Sequence, residues 1–148
     1  MSPLALDAAL AVLHHALVFT LVALLAAELA IASGPVGMRR LAQLGRVDAV
    51  YGLMSLGVVA AGFLRAVYGA KGWAYYAHQP MFWLKIGLFV VVGLLSAVPT
   101  VRLIRWRRDG SVPSDEAVRA LRRWMWGEAA VMALMPFAAA LMARGIGL

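Results

Sequence analysis

His14, His15, Glu28, Arg65, Lys85 and Glu128 each sit inside a long apolar stretch, and they are the residues through which this chain could do chemistry. Lys85 lies five residues into the run from Pro80 to Ala97, which is long enough to cross a bilayer. An ionisable group in hydrocarbon costs roughly 2.5 kcal/mol or more, so such groups face a bundle interior, a wet cavity or a ligand. Imidazole ligates haem iron, and arginine or lysine pairs with the two propionates. A quinone headgroup or an anionic solute would use the same side chains differently. Glutamates at such depth either handle protons or pair with cations.

The elements that must hold these residues are four apolar spans of about the ~20 residues needed to cross hydrocarbon. The first runs from Leu6 to Ala32 and stops at Ser33-Gly34-Pro35. The second covers 47–68. The third covers 80–104 and opens on Pro80, a favoured first-turn residue. The fourth covers 121–144. The whole chain, 1–148, reads as one all-α domain, a four-helix transmembrane bundle. Asp7 is the only charge before His14, so the first span lacks the basic leader of a signal peptide and reads as a retained helix.

Composition supports the same class. The chain of 148 residues is 64% hydrophobic and 14% charged, with a mean hydropathy of +0.83, too little charge for a soluble domain of this size. It has no cysteine, which excludes disulfides, thiolate metal sites, covalent haem attachment and cysteine nucleophiles. The net charge of +7 lies mainly in loops, where it signals topology and not nucleic-acid binding. Arg39, Arg40 and Arg46 lie between the first two spans, and Arg102, Arg105, Arg107, Arg108, Arg119, Arg122 and Arg123 in or beside the last connection. The positive-inside rule puts these loops in the cytoplasm and both termini outside, in the bacterial inner membrane. No phosphate-binding loop, dinucleotide fingerprint, metalloprotease helix or serine-nucleophile elbow is present.

Helical arithmetic sorts the polar residues into two layers. His14, His15, Arg65 and Lys85 fall at the outer end, while Glu28, Asp48, Arg102 and Glu128 fall in the inner half. His14 and Glu28 share a face about 21 Å apart, and His15 points about 100° away from His14. Tyr51 and Arg65 share a face of the second span, and Lys85, Ser96 and Pro99 fall near one line of the third. Met125, Glu128, Met132, Met135 and Met142 form a stripe on the fourth, read as gap-filling core ahead of axial ligation. Each polar group also has a structural reading. Arg65 and Lys85 would snorkel to headgroups, and Glu28 and Glu128 would pair with Arg46 or Arg102. Pro99 and Pro136 would kink their helices. Gly57, Ala61, Gly62 and Ala66 suggest close helix packing, including a dimer contact. The aromatic loop Gly69 to Gln79, with Phe82 and Trp83, reads as an interfacial belt or as a lid over an outward pocket. Ser114-Asp115 would cap a lead-in to the last helix.

Leu13-His14-His15, Tyr51-Gly52-Leu53 and Phe82-Trp83-Leu84-Lys85 resemble an uncharacterised family of small bacterial four-helix membrane proteins over nearly the whole chain. More distantly, Leu13-His14, Lys85, Glu128 and the exit Arg105-Trp106-Arg107-Arg108-Asp109 resemble HemJ-type protoporphyrinogen oxidases and CopD-like copper-resistance domains. That resemblance implies a haem b or porphyrin site, with His14 as axial ligand and Lys85 near the macrocycle. The further histidines of HemJ-type chains have no counterpart in Ala30–Gly34 or Gly93–Val98.

The leading expectation is therefore a haem b or porphyrin-binding redox protein exchanging electrons with a quinone or another membrane partner. In it His14 or His15 ligates iron, Arg65 and Lys85 hold propionates, Glu28 and Glu128 manage charge or protons, and the chain forms a homo-oligomer. The alternatives are a transporter or channel subunit for a small solute, metal or proton, and a cofactor-free scaffold.

Overall fold

A computed structural model describes residues 2–144. Its helices are α1 (Pro3–Ile31), α2 (Met38–Tyr68), α3 (Gly72–Ala77), α4 (Pro80–Arg108), α5 (Asp115–Met132) and α6 (Met135–Ala143), and no strand occurs among the described residues. Four segments are long and apolar enough to cross a membrane: α1, α2, α4, and α5 with α6. They pack as an up-and-down ring, α1 on α2, α2 on α4, α4 on α5 and α6, with α5 closing on α1. Phe19, Leu56, Phe63, Leu94 and Phe137 point outward, as a lipid-facing surface requires.

The helices run past the expected spans for identifiable reasons. Ser2 accepts a hydrogen bond from the Ala5 amide at 3.3 Å and Pro3 occupies the first turn, so α1 starts before Leu6. α2 begins at Met38 and not at 47, because Leu41 and Leu44 form an apolar stripe that is fully buried while Arg39, Arg40 and Arg46 face out. α5 repeats the pattern with Val118 and Leu121 inward and Arg119 and Arg123 outward, after Ser114 has capped it by accepting from the Ala117 amide. α4 continues to Arg108, four residues beyond the expected end.

The two internal prolines behave differently. α4 runs unbroken through buried Pro99. The last span is interrupted at Ala133 and Leu134, immediately before Pro136. Pro136 has no N–H to give the Met132 carbonyl, and Leu134 bonds Val131 in a tighter turn, so the ladder lapses for one turn.

Every long helix turns a seven-residue line toward the interior. On α1 the line reads Asp7, His14, Leu21, Glu28, and on α2 it reads Leu44, Tyr51, Val58, Arg65. On α4 it reads Lys85, Val92, Pro99, Trp106, and on the last span Leu121, Glu128, Met135. Leu21, Glu28, Leu44, Tyr51, Val58, Val92, Pro99, Leu121 and Glu128 on these lines are all buried. A seven-residue repeat keeps the same seam facing its neighbour along antiparallel helices, about 10 Å per step. The bundle is therefore layered.

Candidate functional site

The acid layer lies near the Arg-rich end. Glu28 of α1, Asp48 and Tyr51 of α2, and Glu128 of α5 are 2%, 6%, 2% and 1% exposed, deeper than almost any charged side chain on a soluble protein. Tyr51 donates its hydroxyl proton to Glu128 Oε1. Thr100 of α4 donates to Asp48 Oδ1 at 2.8 Å, and Ser96, one turn before it, lies beside Glu128. The three carboxyl groups are close enough to act on one another. No cation forms an ion pair with any of them among the described residues, and Glu28 Oε1 has no hydrogen-bond partner. The expected pairing of Glu28 or Glu128 with Arg46 or Arg102 is thus not what the packing gives. Arg46 faces outward and bonds the Ala42 carbonyl of its own helix, and Glu128 is taken by Tyr51.

Two arginines border this layer without entering it. Arg122 reaches the Ala32 and Ser33 carbonyls at 3.4 and 3.3 Å, tying α5 to the end of α1 one turn from Glu28. Arg107 lies across Gly45, where a Cβ would come within 2.6 Å of its Nη1, and its charge bears on Asp48. Gly45 and Asp48 share a face, so Arg107 covers the approach to the acids from the Arg-rich end.

The cationic layer lies at the opposite end. His14 faces the bundle and packs on Gly62 of α2, where a Cβ would stand 3.2 Å from the ring Cε1. Its Nδ1 is covered and without a hydrogen-bond partner. His15 faces lipid, and its Nδ1 donates to the Ala11 carbonyl at 2.6 Å. Arg65 and Lys85 both lie near enough to His14 for their charges to act on it. Arg65 pairs with Asp7 at 3.6 Å, the only ion pair among the described residues. The close helix packing expected at Gly57 and Gly62 is present within the chain, where they receive Leu17 and His14 of α1, and Ala61 and Ala66 are buried.

Between the layers the seams carry buried Leu21, Val58 and Val92, and Leu21 and Val92 pack with Leu25 and Met132 into an apolar plug. At the Lys85 end the connection is the helix α3. Phe63, Trp73, Phe82 and Tyr76 form a chain of ring contacts with centroids 5.6 to 6.1 Å apart. Trp73 and Trp83 are exposed, the arrangement of an interfacial belt. Outside the spans, the Tyr75 phenol is held below its ordinary value by hydrogen bonds from Gln79 and Lys71, both at 3.3 Å, which favour the phenolate.

The haem expectation meets a mixed answer. An unpartnered imidazole nitrogen beside two cations is the right donor chemistry. Yet cofactor-sized ligands occupy concave spaces of ~300–1,000 Å³, and His14 is packed against the α2 backbone. The surface depressions of 170 and 460 Å³ lie elsewhere, around Leu95 and Trp124 and around Arg102 and Trp106. A macrocycle bound through His14 would lie at the α1–α2 contact, against Gly62. No cluster of three or more His, Asp or Glu with metal-holding geometry exists among the described residues.

Several partners are invisible in the sequence. Tyr51 shares the face of Arg65, which does not disclose its bond to Glu128, and nothing in the types of Asp7, Thr100 and Ser96 marks them as site residues. The seven-residue spacing of Asp7 from His14, and the doubled spacing of Tyr51 from Arg65, is the signal that could have found two of them.

This architecture defines a class, the multi-pass all-α membrane proteins with four apolar spans. The chain belongs to the family described as "Predicted membrane protein (DUF2214)", whose model matches residues 6–147. Comparison with curated proteins and with solved structures finds no match.

Proposed function

We propose that the chain is a proton-coupled transport protein of the bacterial inner membrane, with Glu28, Asp48 and Glu128 as its proton-binding station. The observation that carries this reading is the set of three buried acids on α1, α2 and α5, none of which forms an ion pair among the described residues. A carboxylate so placed is expensive unless it exchanges a proton or meets a cation, and the absence of metal-holding geometry among the described residues favours the proton. Tyr51, Thr100 and Ser96 supply hydroxyls that relay or hold that proton. The helix break at Ala133 and Leu134, just over one turn past Glu128, supports the same reading, since interrupted spans recur at transporter binding sites. The positive-inside rule places the acid layer on the cytoplasmic side and both termini outside.

The test is reconstitution into acid-loaded vesicles carrying an internal pH dye. The intact protein should speed proton exit over protein-free vesicles, and Glu28→Gln and Glu128→Gln should abolish that gain while eluting as the same folded species. Flux equal to that of empty vesicles would sink the proposal.

The unpartnered Nδ1 of His14 favours one second reading, a haem b protein in which His14 or His15 is the ligand and Arg65 and Lys85 hold the propionates. An absorption spectrum after expression with haem supplied decides it. A Soret band that disappears in His14→Ala or His15→Ala supports this reading, and a featureless spectrum removes it.

A further inference from the structure

The cationic layer carries more positive charge than its own chain neutralises. Arg65 and Lys85 stand on neighbouring helices, close enough to repel each other, yet the only carboxylate paired with either among the described residues is Asp7. Two cations against one anion leave one positive charge unmatched. The Arg65 side chain makes no hydrogen bond among the described residues, its Nε is covered, and Asp7 at 3.6 Å lies beyond hydrogen-bond reach. Lys85 forms no ion pair among the described residues. A snorkelling arginine would carry its guanidinium out to water. Here Nε is covered by the bundle while about a third of the side chain (32%) stays open to a ligand.

Position narrows the occupant. Arg65 lies one turn from the end of α2 and Lys85 about one and a half turns into α4, at the end of the bundle that carries the exposed rings of Trp73 and Trp83. That is the depth of lipid phosphates. A guanidinium presents a planar fork that matches a phosphate oxyanion, an ammonium adds a point charge, and the unused Nδ1 of His14 stands behind them.

We propose that Arg65, Lys85 and His14 form a binding site for a singly charged phosphate oxyanion, either the phosphodiester of an anionic lipid or free dihydrogen phosphate. The excess charge of one selects a monoanion, and Asp7 competes with it for Arg65. This inference stands apart from the acid layer and survives the failure of the transport reading.

The test uses the full chain reconstituted in equimolar phosphatidylcholine and phosphatidylglycerol, extracted gently, with retained lipid counted by native mass spectrometry. Wild type should retain phosphatidylglycerol in preference to phosphatidylcholine. Loss of one cation, in Arg65→Gln or Lys85→Met, should weaken retention about fivefold, and loss of both roughly twenty-five-fold. Asp7→Asn should strengthen it by about fivefold, a gain that a purely structural ion pair would not produce. Displacement of the lipid by millimolar inorganic phosphate would assign the site to the soluble anion. No preference for phosphatidylglycerol together with no phosphate binding would overturn the proposal. So would equal retention in wild type and in the folded double variant, or a haem-loaded preparation that excludes both anions.

Discussion

Tyr51 and Glu128 show how much a membrane interior asks of one hydrogen bond. Both side chains are buried, they come from different helices, and each is the other's hydrogen-bond partner among the described residues. Leaving a buried acceptor without its donor costs ~1–3 kcal/mol. Tyr51→Phe should therefore lower the thermal unfolding midpoint in detergent by a clear margin. Glu128→Gln, which keeps an acceptor for the phenol, should lower it less. Equal midpoints for Tyr51→Phe and wild type would show that this bond contributes nothing. Gly62 makes a similar point about space. Its missing side chain is what lets His14 lie against α2, so the imidazole's inward aim depends on a residue with no functional group.

At the scale of elements, the last span is interrupted and an apolar plug separates the two polar layers, and on the transport reading these two features would govern passage between them. The break before Pro136 leaves α5 and α6 joined by a single non-helical turn. Pro136→Ala restores a backbone donor, and hydrogen exchange at residues 131–138 should slow as the two helices merge. Unchanged exchange there would mean that proline does not set the break. The plug should be the resistance between the layers. Leu21→Asn places a hydrogen-bonding group midway between His14 and Glu28, about 10 Å from each along the seam. Proton flux through reconstituted vesicles should rise severalfold, and a flux unchanged from wild type would locate the barrier elsewhere. Thr20, one residue off the seam, is exposed, so Thr20→Asn is the control and should leave the flux at the wild-type level.

For the whole molecule the first unknown is orientation, and the cysteine-free sequence makes it directly measurable. Ser111→Cys lies in the exposed Arg-rich linker and Ala70→Cys in the connection at the other end. In intact bacterial spheroplasts a membrane-impermeant maleimide should label Ala70→Cys at once and Ser111→Cys only after permeabilisation. The reverse pattern would invert the molecule and move the acid layer to the outer face. Charge is distributed unevenly along the bundle axis as well as across the loops. Among the described residues, acids that form no ion pair lie at one end of the interior, and cations with one paired acid at the other. Any ligand cycle must work within that fixed asymmetry.

The sequence by itself determined the class, the number of spans, their order and the approximate depth of every buried charge. Hydrophobic length and helical rise depend only on local composition, and the bilayer imposes a single thickness on all four segments. It also determined the cap at Ser114 and the end of α1 at Ser33-Gly34-Pro35, both local events. It misplaced the start of α2, because Leu41 and Leu44 are buried by neighbours that a hydropathy window does not see. Only the tertiary structure decided the partners. Which helix stands beside which, and with what rotation, depends on packing between segments far apart in sequence. That packing turned His14 inward and His15 to lipid, gave Arg65 to Asp7 and Glu128 to Tyr51, and used Gly57 and Gly62 within the chain. Depth is a property of one helix. A site is a property of several.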